Sequence, residues 1–336
     1  MTSRSNTYWV RVNNQAKDLL AMKRRLMVLA VALVGVSPFS VQAAGKPLKV
    51  YILAGQSNMD GHATVSTIAA MKGDPEVADL YNEMVDKDGK PITVDGVYFV
   101  QDDRSQQLDA TCGSTWKGPK LGSEYAFGIT MKKLTKQPIL LIKTAWGGKD
   151  LLQQFRPPSA GAFGKAKDKH GKPTGHFYRL MIEQVKAVLA DPGKYHPAYD
   201  KAAGYEIAGL VWFQGFNDYV NKGYYRADRT NRKSPTDYSD YTRLMACFIR
   251  DARKDLSAPD MKIVIGAIGV SGDKDRDQVK LAKAQGATAD LPEFKDNVGV
   301  VYTAKYWDHK LGKAAGTMKW IKKQVWKSTR GKSREQ

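Results

Sequence analysis

Ser57 is the residue whose setting most invites chemistry. The run Val50-Tyr51-Ile52-Leu53-Ala54 is apolar and of strand length, and it ends in Gly55-Gln56-Ser57-Asn58-Met59-Asp60-Gly61. A buried strand holds the backbone still, and a glycine permits the tight bend that aims a hydroxyl at solvent. A hydroxyl nucleophile needs a base to take its proton and donors for the oxyanion it creates. Donor candidates follow two later strand-like runs. Gly147-Gly148 comes just after Pro138–Lys143, where a residue without a Cβ lets a backbone N–H approach a reacting oxygen. Asn217 comes just after Ile207–Phe213, and its amide is a neutral donor fixed in advance. Each feature also has a plainer reading: a small polar turn, a strand-to-helix glycine turn, and an Asn-Asp turn or helix cap.

The three blocks together resemble the SGNH hydrolases, in the form found in sialate O-acetylesterase-like carbohydrate esterases. Gly55-Gln56-Ser57-Asn58-Met59 is similar to the first block of that superfamily. Ala145-Trp146-Gly147-Gly148 is similar to its glycine block, and Val211-Trp212-Phe213-Gln214-Gly215-Phe216-Asn217-Asp218 to its Gly-x-Asn-Asp block. The order is the family's, and the similarity runs from about Lys46 to Gly316. The resemblance implies Ser57 as nucleophile, with its own N–H, Gly148 and the Asn217 amide holding the oxyanion. It implies Gln56, Gln214 and Trp146 as residues in contact with substrate. It implies an O-acetylated carbohydrate as that substrate, and it calls for no cofactor or metal.

The base is the open position. Five histidines are available: His62, His170, His176, His196 and His309. The family carries its histidine after the last strand as Asp-x-x-His, and His309 has that place in the chain. Its acidic neighbour, however, is the adjacent Asp308, and position 306 is Tyr. His309 is therefore one candidate, His62 is another because it follows Ser57 closely, and a chain without a catalytic histidine is the third reading.

The elements that would position these residues alternate. Strands are predicted at Lys49–Ala54, Val97–Gln101, Pro138–Lys143, Ile207–Phe213, Lys262–Ile268 and Asn297–Thr303. Helices are predicted at Leu121–Leu134, His176–Leu189, Tyr238–Leu256, Arg276–Ala289 and Lys310–Trp326. That alternation predicts a three-layer α/β/α sandwich around a mostly parallel sheet, which the resemblance makes flavodoxin-like. Three long polar stretches interrupt it: Asp60–Lys120, Gln153–Thr174 and Asn221–Asp237. Each follows a block that carries chemistry. Ligands bind outside the carboxyl ends of parallel strands, so the three should shape a groove. Trp116, Trp146 and Tyr224 lie in or beside them and offer ring faces for sugars, although Trp146 fits a core position equally well.

Composition sets the compartment and the partners. With 336 residues, 42% hydrophobic content and seven Trp, the chain can build a sizeable core. Lys23-Arg24-Arg25, the apolar run Leu26–Val36 and the small residues ending at Ala43 read as a signal peptide starting at Met22 and cleaved after Ala43. The rival is an uncleaved anchor. The expected organisation is thus 1–44 extension and signal, 45–318 esterase domain and 319–336 basic tail, in an exported protein (periplasmic or secreted). Cys112 and Cys247 would meet an oxidising environment there, so a disulfide between them is one expectation. No Cys-x-x-Cys or His-Glu-x-x-His spacing suggests a metal. The formal charge is +19, of which +14 remains once residues 1–44, with six basic and one acidic side chain, are set aside. Such a charge favours anionic partners. In an exported protein, acidic polysaccharide suits it better than nucleic acid, and a plain lysine-rich surface suits it as well. Two other classes stay open, an inactive carbohydrate-binding protein and an envelope adhesion protein, beside a lipase or thioesterase of the same superfamily.

Overall fold

A computed structural model of the chain describes residues 45–322, apart from 165, 169, 315, 319 and 320. The segment expected to be a signal peptide and most of the basic tail lie outside the described residues. Seven strands form one sheet: β1 (Leu48–Gly55), β2 (Val97–Gln101), β3 (Arg104–Gln107), β4 (Ile139–Ala145), β5 (Tyr205–Phe213), β6 (Lys262–Ala267) and β7 (Val298–Tyr302), in the order β3-β2-β4-β1-β5-β6-β7. All neighbours are parallel except β2 and β3. Helices cover both faces, as predicted for an α/β sandwich.

Alternation along β1 shows how the layers are made. Val50, Ile52 and Ala54 point into one core with α5 (His176–Ala190) and α7 (Ser239–Asp255). Tyr51 and Leu53 point into the other, with α3 (Ala78–Met84) and α4 (Ser123–Thr135). Both faces of the strand are buried, hence its unbroken apolar run. Among the described residues nothing buries the second face of β6 and β7, where Val264 and Val301 are exposed.

The predicted strands and the first four predicted helices appear within a few residues of their expected ends, and the predicted helix Lys310–Trp326 lies partly outside the described residues. Several not anticipated fall inside the polar stretch 60–120, which holds α2 (Thr67–Met71), α3 and the antiparallel hairpin to β3. These pieces are short or half-buried, so none shows a full period of hydrophobic alternation.

From β1 the chain goes to one side, through β2 and β3 and back to β4, and then crosses to run outward through β5, β6 and β7 on the other. Such a switch point leaves a crevice at the carboxyl ends of the central strands. Register makes this concrete, since Gly55 pairs with Ala145 of β4 and with Phe213 of β5. The β1 and β5 backbones converge there so closely that a Cβ at position 55 would lie 2.4 Å from the Phe213 carbonyl oxygen. Only glycine fits.

Candidate active site

The three turns leaving Gly55, Ala145 and Phe213 carry the three predicted groups. Ser57 opens the short helix α1 (Ser57–Asp60) and is half-buried. Gly148 is exposed and takes φ 75°, a left-handed conformation that favours glycine. Asn217 lies in the first turn of α6 (Phe216–Val220) and donates from Nδ2 to the Gly148 carbonyl at 2.7 Å. Among the described residues neither the Ser57 N–H nor the Gly148 N–H has an intramolecular acceptor. The second Nδ2 hydrogen of Asn217 is also uncommitted. Three turns at neighbouring strand ends thus carry one hydroxyl and three uncommitted N–H donors.

Gln56 holds the gathering together. Its Oε1 accepts from the N–H of Asn217 (3.0 Å), the N–H of Gly215 (3.3 Å) and Nε2 of Gln214 (3.2 Å). Its Nε2 donates to Asn217 Oδ1 at 3.3 Å and reaches Ser57 Oγ at 3.5 Å. Gln214 is in turn fixed by the Lys149 carbonyl and by Asp218. Gln56 and Gln214 are both fully buried. They were expected to touch substrate; their amides are instead spent on one another and on the backbone, and they position Ser57 and Asn217.

Beneath them, Asp218 is fully buried and accepts four hydrogen bonds, from the Leu151 and Leu152 N–H groups, Gln214 Nε2 and the Tyr225 hydroxyl. Burial first, and then the nearby Asp150 carboxylate, push its carboxyl up to about 7, and the donated hydrogen bonds pull the other way. Asp218 ties the turn after β4 to the turn after β5. The Gly-x-Asn-Asp block announced this residue, but nothing in its spacing announced burial.

Two clefts border the trio. One, of 580 Å³, is lined by Ser57, His62, Phe213, Gly269, Tyr306 and Trp307 among others. The second, of 340 Å³, runs along Gly148 and Asn217 and includes the Phe163 and Tyr224 rings, 5.7 Å apart. Trp146 is half-buried against Phe155 and Phe177, and its other side borders a third cleft with Trp116.

The two candidate bases differ in setting. His62 lines the serine cleft, and its Nε2 lies 3.3 Å from the Asp60 carboxylate, which Gln101 also holds. The Asp60-x-His62 spacing was visible in the sequence, but adjacency on a turn gave no reason to pair them. His309 is exposed and lies against Gly272, whose added Cβ would fall 2.8 Å from His309 Cε1. Among the described residues its ring has no hydrogen-bond partner. Asp308 does not orient it, because that carboxylate caps the following helical turn through the Leu311 N–H at 2.8 Å. Of the other histidines, His196 is buried and its pKa is lowered by burial, with Nδ1 accepting from the Ala198 N–H. His170 and His176 lie away from Ser57 in the 153–176 region, and neither lines the serine cleft.

Cys112 and Cys247 are both free and buried, in the two different core layers, so the anticipated disulfide is not formed. Among the described residues no group of three His, Cys, Asp or Glu is placed to hold a metal ion, and no helix is long and apolar enough to cross a membrane.

The fold is an α/β sandwich of the SGNH-like kind, with Ser57 at the carboxyl end of its central strand. Residues 47–306 match the family of carbohydrate esterases described as sialic acid-specific acetylesterases. The chain belongs to that family, whose members are hydrolases acting on esters. Among curated proteins none matches it. Similar solved structures include a protein from Arabidopsis thaliana, 20% identical, covering 76% of this chain and 85% of that one, with a TM-score of 0.44. A carbohydrate acetylesterase from Xanthomonas citri is 15% identical over 75% of this chain and 49% of its own (TM-score 0.44). A family two carbohydrate esterase from Cellvibrio japonicus is 14% identical over 76% and 52% (TM-score 0.34). The chain spans about half the length of the Xanthomonas and Cellvibrio proteins.

Proposed function

We propose that this protein is an exported serine esterase that removes O-acetyl groups from carbohydrate. The observation that carries the proposal is the Gln56 amide, which locks Ser57 and Asn217 together while Asn217 binds Gly148. In this reading Ser57 Oγ attacks the acetyl carbonyl and gives its proton to an imidazole. The oxyanion is held by the Ser57 N–H, the Gly148 N–H and Asn217 Nδ2. Collapse expels the sugar hydroxyl, which takes the proton back, and water then releases acetate from Ser57 by the same route. Export rests on the basic, apolar and small-residue pattern of residues 22–43.

The base is assigned to His309. It closes the segment whose Thr303, Tyr306 and Trp307 line the serine cleft, and it packs on the loop that supplies Gly269 and Val270 to the same cleft. A second reading takes His62, favoured by the Asp60 carboxylate beside its ring. Turnover of p-nitrophenyl acetate and of acetylated sugars by Ser57→Ala, His309→Ala and His62→Ala tests both. Ser57→Ala should lose about 10⁴-fold or more in kcat, and the base variant should match it with no further loss in the double mutant, because the residues act as a unit. Near-normal kcat in His309→Ala with loss in His62→Ala moves the role to His62. A wild-type protein that binds acetylated sugar without turning it over would make it a carbohydrate-binding member of the family.

A further inference from the structure

Beside the serine cleft lies a second depression that the ester chemistry does not use. It has a volume of 540 Å³ and is walled by the loop 222–236 and the start of α8 (Arg276–Ala287). Seven of its lining residues are Lys or Arg, and two are carboxylates. Both carboxylates are already engaged. Asp275 caps α8 through the N–H groups of Asp277 and Gln278 and accepts from the Tyr219 hydroxyl at 2.7 Å. Asp277 pairs with Lys222 at 2.5 Å and accepts from the Thr236 hydroxyl at 2.7 Å. Lys280 is spent on the Thr236 carbonyl. Five cations remain, Arg226, Arg232, Lys233, Lys274 and Arg276, and among the described residues none has an ion-pair partner. Like charges crowded around one depression repel, and an anion that enters relieves them.

The depression is joined to the serine cleft by one loop. Gly269 and Val270 line the cleft that holds Ser57, Gly272 touches His309, and residues 274–277 line the basic depression. From the other side, Tyr219 and Lys222 follow Asn217 by two and five residues. A ligand that occupies both must extend along this loop.

We propose that this depression is a subsite for the acidic backbone of an O-acetylated polysaccharide, one carrying repeating carboxylates, which anchors the chain while an acetyl group reaches Ser57. The inference rests on the esterase reading for its purpose, though not for its binding. Guanidinium groups suit planar carboxylates. No aromatic side chain lines the depression, so it lacks the stacking platform on which single-stranded nucleic acid depends. The same lack removes the ring faces that would grip a neutral sugar chain.

The test replaces the four exposed, unpaired cations in Arg232→Gln/Lys233→Gln/Lys274→Gln/Arg276→Gln, none of which has a partner to lose. On acetylated polygalacturonate this variant should show KM raised about tenfold with kcat retained, while p-nitrophenyl acetate and acetylated xylan stay within about twofold of wild type. Wild-type KM for the acidic polymer should rise with salt, and the variant's should rise less. Calorimetry with de-esterified polygalacturonate on Ser57→Ala, with and without the four changes, reads the subsite without turnover. If no ester is hydrolysed but the four changes abolish this binding, the esterase reading fails and the subsite stands. Equal Kd with and without the changes overturns the subsite. So does wild-type affinity for polygalacturonate no greater than for xylan, or a single-stranded oligonucleotide bound more tightly than the polyuronate through the same four residues.

Discussion

The two sides of the serine cleft are built differently. On the side of the proposed oxyanion donors, the side-chain amides and hydroxyls beneath Ser57 and Asn217 are tied to one another. Gln56, Gln214, Asp218, Tyr225 and Tyr241 form a continuous buried network, and Gln285 ties it to the turn after β6. On the base side the segment after β7 rests on a sheet face that is covered on one side only, with Tyr302, Tyr306 and His309 exposed. The difference teaches where precision is stored. Donors that must meet a developing charge are fixed in advance by burial. A proton acceptor supplied from an edge strand can be fixed only by what covers it, substrate included.

The comparison breaks first, if it is wrong, in stability. Asp218→Ala leaves the Leu151 and Leu152 N–H groups and the Tyr225 hydroxyl without an acceptor and should cost roughly 3–5 kcal/mol. Asp308→Ala on the base side removes a solvent-exposed cap and should cost about 1 kcal/mol. Urea midpoints measure both, and equal losses would erase the distinction between the two sides. The next largest effect is catalytic. Asn217→Ala should lower kcat for acetyl ester hydrolysis roughly 100-fold with little change in the urea midpoint. A folded variant with full turnover would remove Asn217 from the oxyanion site.

The smallest effect concerns the ties that cross between the sides. Asp275 and Asp277 join α8 to Tyr219, Lys222 and Thr236. Burial raises the pKa of each, but the stronger effect of their hydrogen bonds and the Lys222 charge holds both below the usual carboxylate value. The folded state therefore releases these protons more readily than the unfolded chain does. The stabilisation is complete above the ordinary carboxylate value of 3.8 and is lost as pH falls through the lowered values of the folded state. Both groups are partly exposed, so the loss should stay under about 1 kcal/mol. The gap in urea midpoint between wild type and Asp277→Asn should narrow from pH 6 to pH 3. A gap that widens on acidification would mean that the tie does not hold the carboxylate in its charged form.

How far the sequence could be read follows the same division. β1, β4 and β5 are apolar on both faces, so their runs, their order and the three turns after them were legible without coordinates. Ser57, Gly148 and Asn217 come together because each follows its strand within four residues. The resemblance implied Gln56 and Gln214 as substrate contacts, and the sequence carries no sign that both are fully buried. The stretch 60–120 was illegible for the opposite reason, since α2, α3 and β3 are short and take their stability from the layers they cover. The setting of His309 was illegible too, because a two-residue shift from Asp-x-x-His changes which partner Asp308 can reach, and here it reaches the backbone of Leu311.

Cys112 and Cys247 give the two core layers separate clocks. Cys112 is fully buried, with its thiol pushed up to about 12 mainly by burial, and it sits in the layer under α4. Cys247 is on α7 in the opposite layer. A thiol reagent can reach either one only when the layer over it opens, and opening free energies differ between cooperative units of one domain. The modification rate at each sulfur, resolved by mass spectrometry, therefore reports the opening of one layer without the other. The pair of rates measures how tightly the sheet couples the two halves of the molecule during breathing.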